Sequence, residues 1–352
     1  MIFHWLAMNN EISYNYRTVN YLANGLGGAG WTGALDCACV VYSFPLPPFI
    51  SPADDPAPWY TTTREESAEF LGLMITDVKL SSPVGRVVTP IGKGGVAIGP
   101  ATDRGRTVEV EGVMFASSEC GMRYGEQWIS GQLRFAGLCP ATPISPCYLF
   151  QEMEFAPCCS SGFPDDVSGR RSFPAIALIE GPSFEPLNEK VPQCYSEKCK
   201  FILQSTTAFM LTPGNQVIVQ EPPITEATFD IDINDCDFLD GVALLIEVYA
   251  GEGSFSGVVT VTNEDNFVLG EWTITDLPAQ HHAWIDGRTY RLWVDDGNNV
   301  MVGSYDIIVP GTAYLNSWPI ICGCDEVYHV TIVPSVADAS SQFLVSAYNR
   351  ET

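Results

Sequence analysis

The last third of the chain alternates apolar and polar residues in short, evenly spaced runs. They read "ALLIEVYA" (243–250), "GVVTVTN" (257–263), "FVLGEWTITDL" (267–277), "TYRLWVD" (289–295), "NVMVGSYDIIV" (299–309), "YHVTIVP" (328–334) and "QFLVSAYN" (342–349). A period of two puts successive side chains on opposite faces of a strand, and turn residues separate the runs. This spacing predicts an antiparallel β-sandwich. "RTVEVEGVMFA" (106–116), "PAIALIEGP" (174–182) and "CKFILQSTTAFML" (199–211) continue the style upstream. Helical signals are few. "TREESAEFLGLM" (63–74) opens with Thr63 and Glu66 at capping-box spacing, and Gly72 keeps it short. "GMRYGEQWISGQLRF" (121–135) brings Trp128, Ile129 and Leu133 near one face and is the better candidate for a helix packed on a sheet. The Pro-rich segment at 45–59 cannot enter a central sheet and reads as a surface loop or strap. The fold class expected is mainly β.

Charge divides this picture in two. The chain has 352 residues, enough for two or three domains, with 17 Lys and Arg against 42 Asp and Glu, a net charge of −25. Residues 221–352 hold 21 of the acids against only Arg288, Arg291 and Arg350, a balance of −18; residues 1–220 carry −7. The shift coincides with the Pro/Gly-marked passage 212–227, where a domain boundary is placed. So acidic a surface repels nucleic acid and anionic membranes. No apolar run has the length of a membrane span, and no targeting signal is read in "MIFHWLAMNNE". Twelve cysteines are then expected as thiols. Zinc binding by Cys139, Cys147, Cys158 and Cys199 has no knuckle spacing behind it, and the adjacent pair Cys158–Cys159 suits chelation poorly.

The densest polar stretch, "HHAWIDGRTYRLWVDDGNN" (281–299), invites a catalytic reading. Asp-Gly pairs are what tight turns demand, so Asp286, Asp295 and Asp296 read as turn residues in water. His281 and His282 are adjacent and point to opposite faces of a strand, so they cannot both line one site without a bulge. "FDIDINDCDFLDG" (229–241) begins like a calcium loop at Asp230, Asp232 and Asn234. It has Asp235 where the turn needs Gly, and Gly241 where a bidentate Glu belongs. A strand with a polar outer face fits better. "VVTPIGKGGVAIGP" (87–100) is no phosphate loop, since Lys93 is followed by Gly94, and "SSG" (160–162) is no nucleophile elbow. No catalytic residue, cofactor or metal site is expected, and the chain reads as a non-enzyme. The rival reading is a carbohydrate- or receptor-binding module in the C-terminal part, with Trp272, Trp284, Trp293 and Trp318 stacking on sugar rings. Against it, alternate strand aromatics usually belong to the core.

Several segments, in order, resemble one family. They are "NNEISYNYRTVNYL" (9–22), the passage 57–100 from "APWYTTTREESAEFLGLM" to "GKGGVAIGP", "RTVEVEGVMFASSECGMRYGEQWISGQLRFAGLC" (106–139), and "ALIEGPSFEP" with "KCKFILQSTTAFMLTP". "VVTVTNEDNFVLGEWTITDL", "AWIDGRTYRLWVDDGNN" and "LNSWPIICGCDEVYHVTIV" follow. The order is similar to that of distal tail proteins, or minor tail proteins, of long, non-contractile-tailed phages, in particular those of actinobacterial hosts. The resemblance covers most of the chain. It implies an N-terminal belt domain (about 1–215), a β-structure with one helix, here "GMRYGEQWISGQLRF". It also implies an outer, galectin-like antiparallel sandwich (about 222–352), in which the 281–299 stretch is the ID-turn-R hairpin. Six copies would close into a ring joining the tail tube to the tail tip or baseplate. Its partners would be the tube and hub proteins, with DNA passing through the lumen as non-sticking cargo and a cell-surface glycan as a further candidate. The place implied is the virion tail tip, after assembly in the host cytoplasm. The strap 45–59 and the cysteine cluster depart from the commonest, shorter members.

Overall fold

The computed structural model describes residues 3–8, 10–25, 49–82, 84–91, 95–103, 105–135, 151–157, 170–187, 194–212, 216–219, 227–233, 241–288, 291–295, 301–303, 307–311, 320–321 and 326–351. The protein is mainly β and its sheets are antiparallel. The chain forms two compact units that divide between Phe209 and Met210. Among the described residues no helix is long and apolar enough to cross a membrane.

The first unit contains β1 (Phe3–Met8), β2 (Asn10–Tyr14), α1 (Asn15–Gly25), α2 (Glu66–Glu69), β3 (Phe70–Leu80), β4 (Val84–Ile91), β5 (Gly95–Asp103), β6 (Thr107–Ala116), α3 (Glu119–Phe135), β7 (Gln151–Pro157), β8 (Arg171–Pro186) and β9 (Tyr195–Ser205). Seven strands pair in the order β3-β6-β9-β8-β7-β1-β2. The described residues of the glycine-rich passage, 87–91 and 95–100, lie in a separate antiparallel pair of β4 with β5. The end strands β2 and β3 come together, and side chains seal the seam. Asn15 Nδ2 donates to Ile75 O at 2.9 Å, and Ile75 N donates to Asn15 Oδ1 at 2.8 Å. The Asn15 amide thus supplies the donor and acceptor a neighbouring strand would offer. Ser13 Oγ donates to Leu73 O at 2.7 Å beside it.

Helix α3 matches the expected segment and buries Ile129 and Leu133. Its close approach depends on Gly125, where an added Cβ would collide with the Phe70 ring. The other expected helix is corrected. Only Glu66–Glu69 is helical, and Phe70, Leu71 and Leu73 belong to β3. Thr63 does not cap it; the N-cap position is Glu65, with no side-chain cap bond. Pairing of β3 along the length of β6 outweighs the weak local signal. Helix α1 gives no clear signal in the sequence because "NYRTVNYLANG" has poor propensity; packing holds it, through buried Tyr21 and Leu22. The described part of the strap, 49–59, runs as successive turns, yet it is more than a surface loop. Trp59 is buried and meets Tyr21, Phe70 and Trp128 edge-on, while Phe49 packs against Tyr14, Tyr16 and Tyr21.

Three cysteines fall among the described residues, all thiols: exposed Cys120, half-buried Cys194 and buried Cys199. Burial pushes the Cys194 thiol up to about 11 and the Cys199 thiol up to about 12. Since the thiolate is the nucleophile, a maleimide should label Cys120 rapidly in the native protein and Cys199 only after unfolding, as read by peptide mass mapping. Fast native labelling of Cys199 would contradict this packing. Cys139, Cys147 and Cys158, its suggested zinc partners, lie outside the described residues.

The second unit contains β10 (Met210–Thr212), β11 (Gln216–Val219), β12 (Ala227–Ile233), β13 (Val242–Tyr249), β14 (Phe255–Asn263), β15 (Val268–Leu277), β16 (His282–Asp286), β17 (Arg291–Asp295), β18 (Met301–Gly303), β19 (Ile308–Pro310), β20 (Ile320–Ile321), β21 (Glu326–Val336) and β22 (Gln342–Glu351). One sheet runs β18-β17-β16-β13-β22, with β10 and β11 also on β22 and β20 on β13. The other runs β12-β21-β14-β15-β19. The inner residues of both sheets form one core: Leu244, Ile246, Val248, Ile285, Val294 and Val345 from the first, Val259, Val261, Trp272, Ile274, Val330 and Ile332 from the second. This is a β-sandwich. Its strand β11 (Gln216–Val219) precedes residue 222, the start expected for this domain, because it pairs with β22.

Candidate functional site

The same alternation that builds the sandwich core sends every second residue of its first sheet outward. Opposite the core face, β13 presents Glu247 and Tyr249, β16 presents His282 and Trp284, β17 presents Trp293, and β22 presents Gln342 and Leu344. Register aligns them in two neighbouring rows. One row runs Leu344–Glu247–Trp284–Trp293 and ends at Gly303 on β18. The other runs Gln342–Tyr249–His282. Side chains directly opposite on adjacent strands lie within contact distance, so four strands assemble a single aromatic and polar surface.

Its centre is Glu247. The imidazole Nδ1 of His282 donates to Glu247 Oε1 at 2.7 Å. That hydrogen bond, opposed by burial and aided by one from the Trp284 indole and by the His282 charge, holds the Glu247 carboxyl below the usual carboxylate range. The His282 ring stacks on Trp284, with centroids 5.3 Å apart and planes within 10°. Tyr249 tilts against the other side of His282 at 4.5 Å. The His282 and Glu247 side chains keep 32% and 23% of their exposure. The surface therefore offers aromatic edges and faces around an ionised acceptor, a combination suited to binding.

The sugar-stacking candidates separate cleanly. Trp284 and Trp293 are cross-strand partners on this outer face and both are half-buried. Trp272 is corrected: it is fully buried between the sheets, packed over Gly270, and can stack on nothing from solution. Trp318 lies outside the described residues. Sequence reasoning missed Glu247 and Tyr249, although "IEVYA" places them on the non-core parity of their strand.

Asp286 is also corrected. It is no solvated turn residue but is 1% exposed. Its carboxylate accepts from Arg288 Nε at 3.0 Å, Arg288 Nη2 at 3.2 Å and the Arg288 backbone N at 2.9 Å. The guanidinium in turn lies 4.8 Å over the Tyr348 ring. This arrangement locks the turn after β16. His281 stays apart from His282, its Nδ1 bonded to Ala279 O. Asp230 is 70% exposed on β12 and accepts from His329 Nδ1 at 2.7 Å, on the outer face of the other sheet. Asn234 and Asp235 of the calcium-like stretch, Lys93, Asp296 and the segment 160–162 lie outside the described residues.

The fold and site together define a mainly β, two-unit protein with an aromatic and polar surface on its sandwich. No protein-family model matches the sequence, and no curated protein does. Among solved structures, the chain is similar to the SPP1 Dit protein, a hub of the adsorption apparatus in Gram-positive-infecting phages, at 10% identity and a TM-score of 0.41. The match covers 82% of this chain and 96% of that one. It is also similar to a chain of the phage P2 baseplate in its activated, calcium-containing conformation, at 9% identity and a TM-score of 0.42, covering 82% and 92% of the two chains.

Proposed function

We propose that the chain is a structural, non-catalytic protein of a phage tail tip: a ring adaptor between the tail tube and the hub or baseplate. The observation that carries this reading is the order of architecture along the chain. A wrapped β unit with one long helix, β1 to β9 with α3, precedes a two-sheet sandwich. That is the arrangement the sequence resemblance to distal tail proteins implies. In this reading the first unit forms a ring of six copies and the galectin-like sandwich faces outward.

Physical constraints support it. An adaptor around a channel needs head-to-tail contacts, which close only as a cyclic ring. The two halves carry −7 and −18. Placing the more acidic half outward separates like charges beyond a screening length of about 8 Å. An acidic lumen lets DNA slide through without sticking. Open edge strands are the obvious glue for such a ring, but the edge of β3 is already satisfied at Leu73 and Ile75 by Ser13 and Asn15. In this reading the ring contacts fall on other surfaces of the first unit.

Light scattering over a range of concentrations, and electron microscopy of the full chain alone and in assembled tails, test the proposal. The expected result is a sixfold ring, formed at high concentration or on a tube template, with contacts confined to residues before about 215. A monomer in every condition including assembled tails, or a ring held by the sandwich, refutes it.

A further inference from the structure

We propose that the outer face of β13, β16 and β17 is a binding site for a neutral saccharide, with Trp284 and Trp293 packing against a pyranose ring and Glu247 accepting from its hydroxyls. The inference does not depend on whether the chain builds a ring.

The argument begins with what the fold does not need. The sandwich core is complete without these side chains, because Leu244, Ile246, Val248, Ala283, Ile285, Leu292 and Val294 fill the inner positions of the same three strands. The outer face of the second sheet carries Thr228, Thr331, Thr260 and Glu271 in one row and Val333, Val258, Thr273 and Val309 in the next, small or polar side chains with no aromatic ring among them. On the first sheet the equivalent places hold Tyr249, His282, Trp284 and Trp293 around one carboxylate. Half-exposed aromatics grouped in register, and grouped with a polar acceptor, are a recognition surface rather than a second core.

The ligand class follows from three properties. Adjacent strands lie about 4.8 Å apart, so the pair Trp284–Trp293 spans roughly the width of one sugar ring. A pyranose has an apolar C–H face and a polar rim, and the site has the matching halves. Glu247 is fixed by the 2.7 Å hydrogen bond from His282, so its orientation is set before any ligand arrives. A carboxylate has about four acceptor sites, and the His282 donor leaves room for hydroxyls. Charge then narrows the choice. The residues from 221 onward carry −18, and an ionised carboxylate sits at the centre of the site. A polyphosphate, a uronic acid or a nucleic acid would be repelled. Neutral hexose or deoxyhexose units are not.

The test uses the full chain on an array of neutral and anionic oligosaccharides, with hits titrated by tryptophan fluorescence. Two variants report on the two halves of the site. Trp284→Thr removes a ring and leaves a residue suited to an outer strand position. Glu247→Gln keeps the shape and removes the charge. Urea midpoints for both variants establish that the sandwich remains folded. The expected result is binding to neutral glycans that weakens at least tenfold in each variant while the midpoint stays close to that of the parent. Absence of any neutral-glycan binding at millimolar concentration overturns the proposal, as does binding only to anionic glycans. Binding indifferent to both substitutions overturns it too. If Trp284→Thr instead abolishes self-association with no glycan signal in the parent, the face is a protein contact and the saccharide site is refuted.

Discussion

Replacing Asp286 by Ala is expected to destabilise the second unit by about 3–5 kcal/mol, the usual cost of breaking a buried ion pair from one side. The side chain is 1% exposed and accepts three hydrogen bonds from Arg288. Removing it leaves a guanidinium at 17% side-chain exposure without its counter-ion. It also frees the backbone N–H that fixes the turn. Asp286→Asn should recover part of the loss by keeping the shape and an acceptor. Urea unfolding followed by a probe in the sandwich, for Asp286→Ala, Arg288→Ala and the double variant, gives the coupling between the two. A cost under about 1 kcal/mol would place the pair with ordinary surface salt bridges and contradict the buried geometry.

Trp59→Ala should cost the first unit a similar amount, about 3–5 kcal/mol, as expected for truncating a large buried aromatic. Trp59 is 2% exposed and its Nε1 donates to Phe70 O at 2.8 Å. Tyr124 Oη donates to the Trp59 carbonyl at 2.5 Å, tying α3 to the strap. The indole also fills the space beside Gly72, which has a φ of +115° and where an added Cβ would lie 3.0 Å from Trp59 Cη2. One residue therefore joins the strap, α3 and the start of β3. Trp59→Phe keeps most of the apolar contact and loses the hydrogen bond, so it should cost less than Trp59→Ala. Equal unfolding midpoints for Trp59→Ala and the parent would mean that the strap is dispensable to this core.

Much of the candidate surface was legible as parity and illegible as a place. "HAWID" and "RLWVD" put Ala283, Ile285, Leu292 and Val294 on one face and His282, Trp284 and Trp293 on the other. "GEWTI" puts Trp272 in phase with Ile274, the buried side. Local alternation thus separates an inward tryptophan from two outward ones. It does not say that Glu247, distant in sequence, stands beside Trp284, because that depends on β13 pairing with β16. Asp286 shows the converse. An Asp-Gly turn signal is identical whether the Asp faces water or Arg288, and the tertiary fold, which buries Asp286 and brings Tyr348 of β22 over the guanidinium, distinguishes the two.

The sequence by itself determined the mainly β class, the strand runs of the sandwich and helix α3. Each rests on a period repeated over enough residues to outweigh local noise. It also carried the acidic balance, a net charge of −25. Tertiary structure alone decided the rest. Phe70–Leu73 became strand and not helix because β6 supplies partners for Phe70, Gly72 and Leu73 across a bulge at Leu71. Helix α1 forms despite its propensity because Tyr21 and Leu22 have a core to enter. The seam between β2 and β3 closes through Ser13 and Asn15, side chains whose role exists only when residues 60 positions apart meet. In each case the deciding energy is a long-range pairing or burial, which no window along the chain contains.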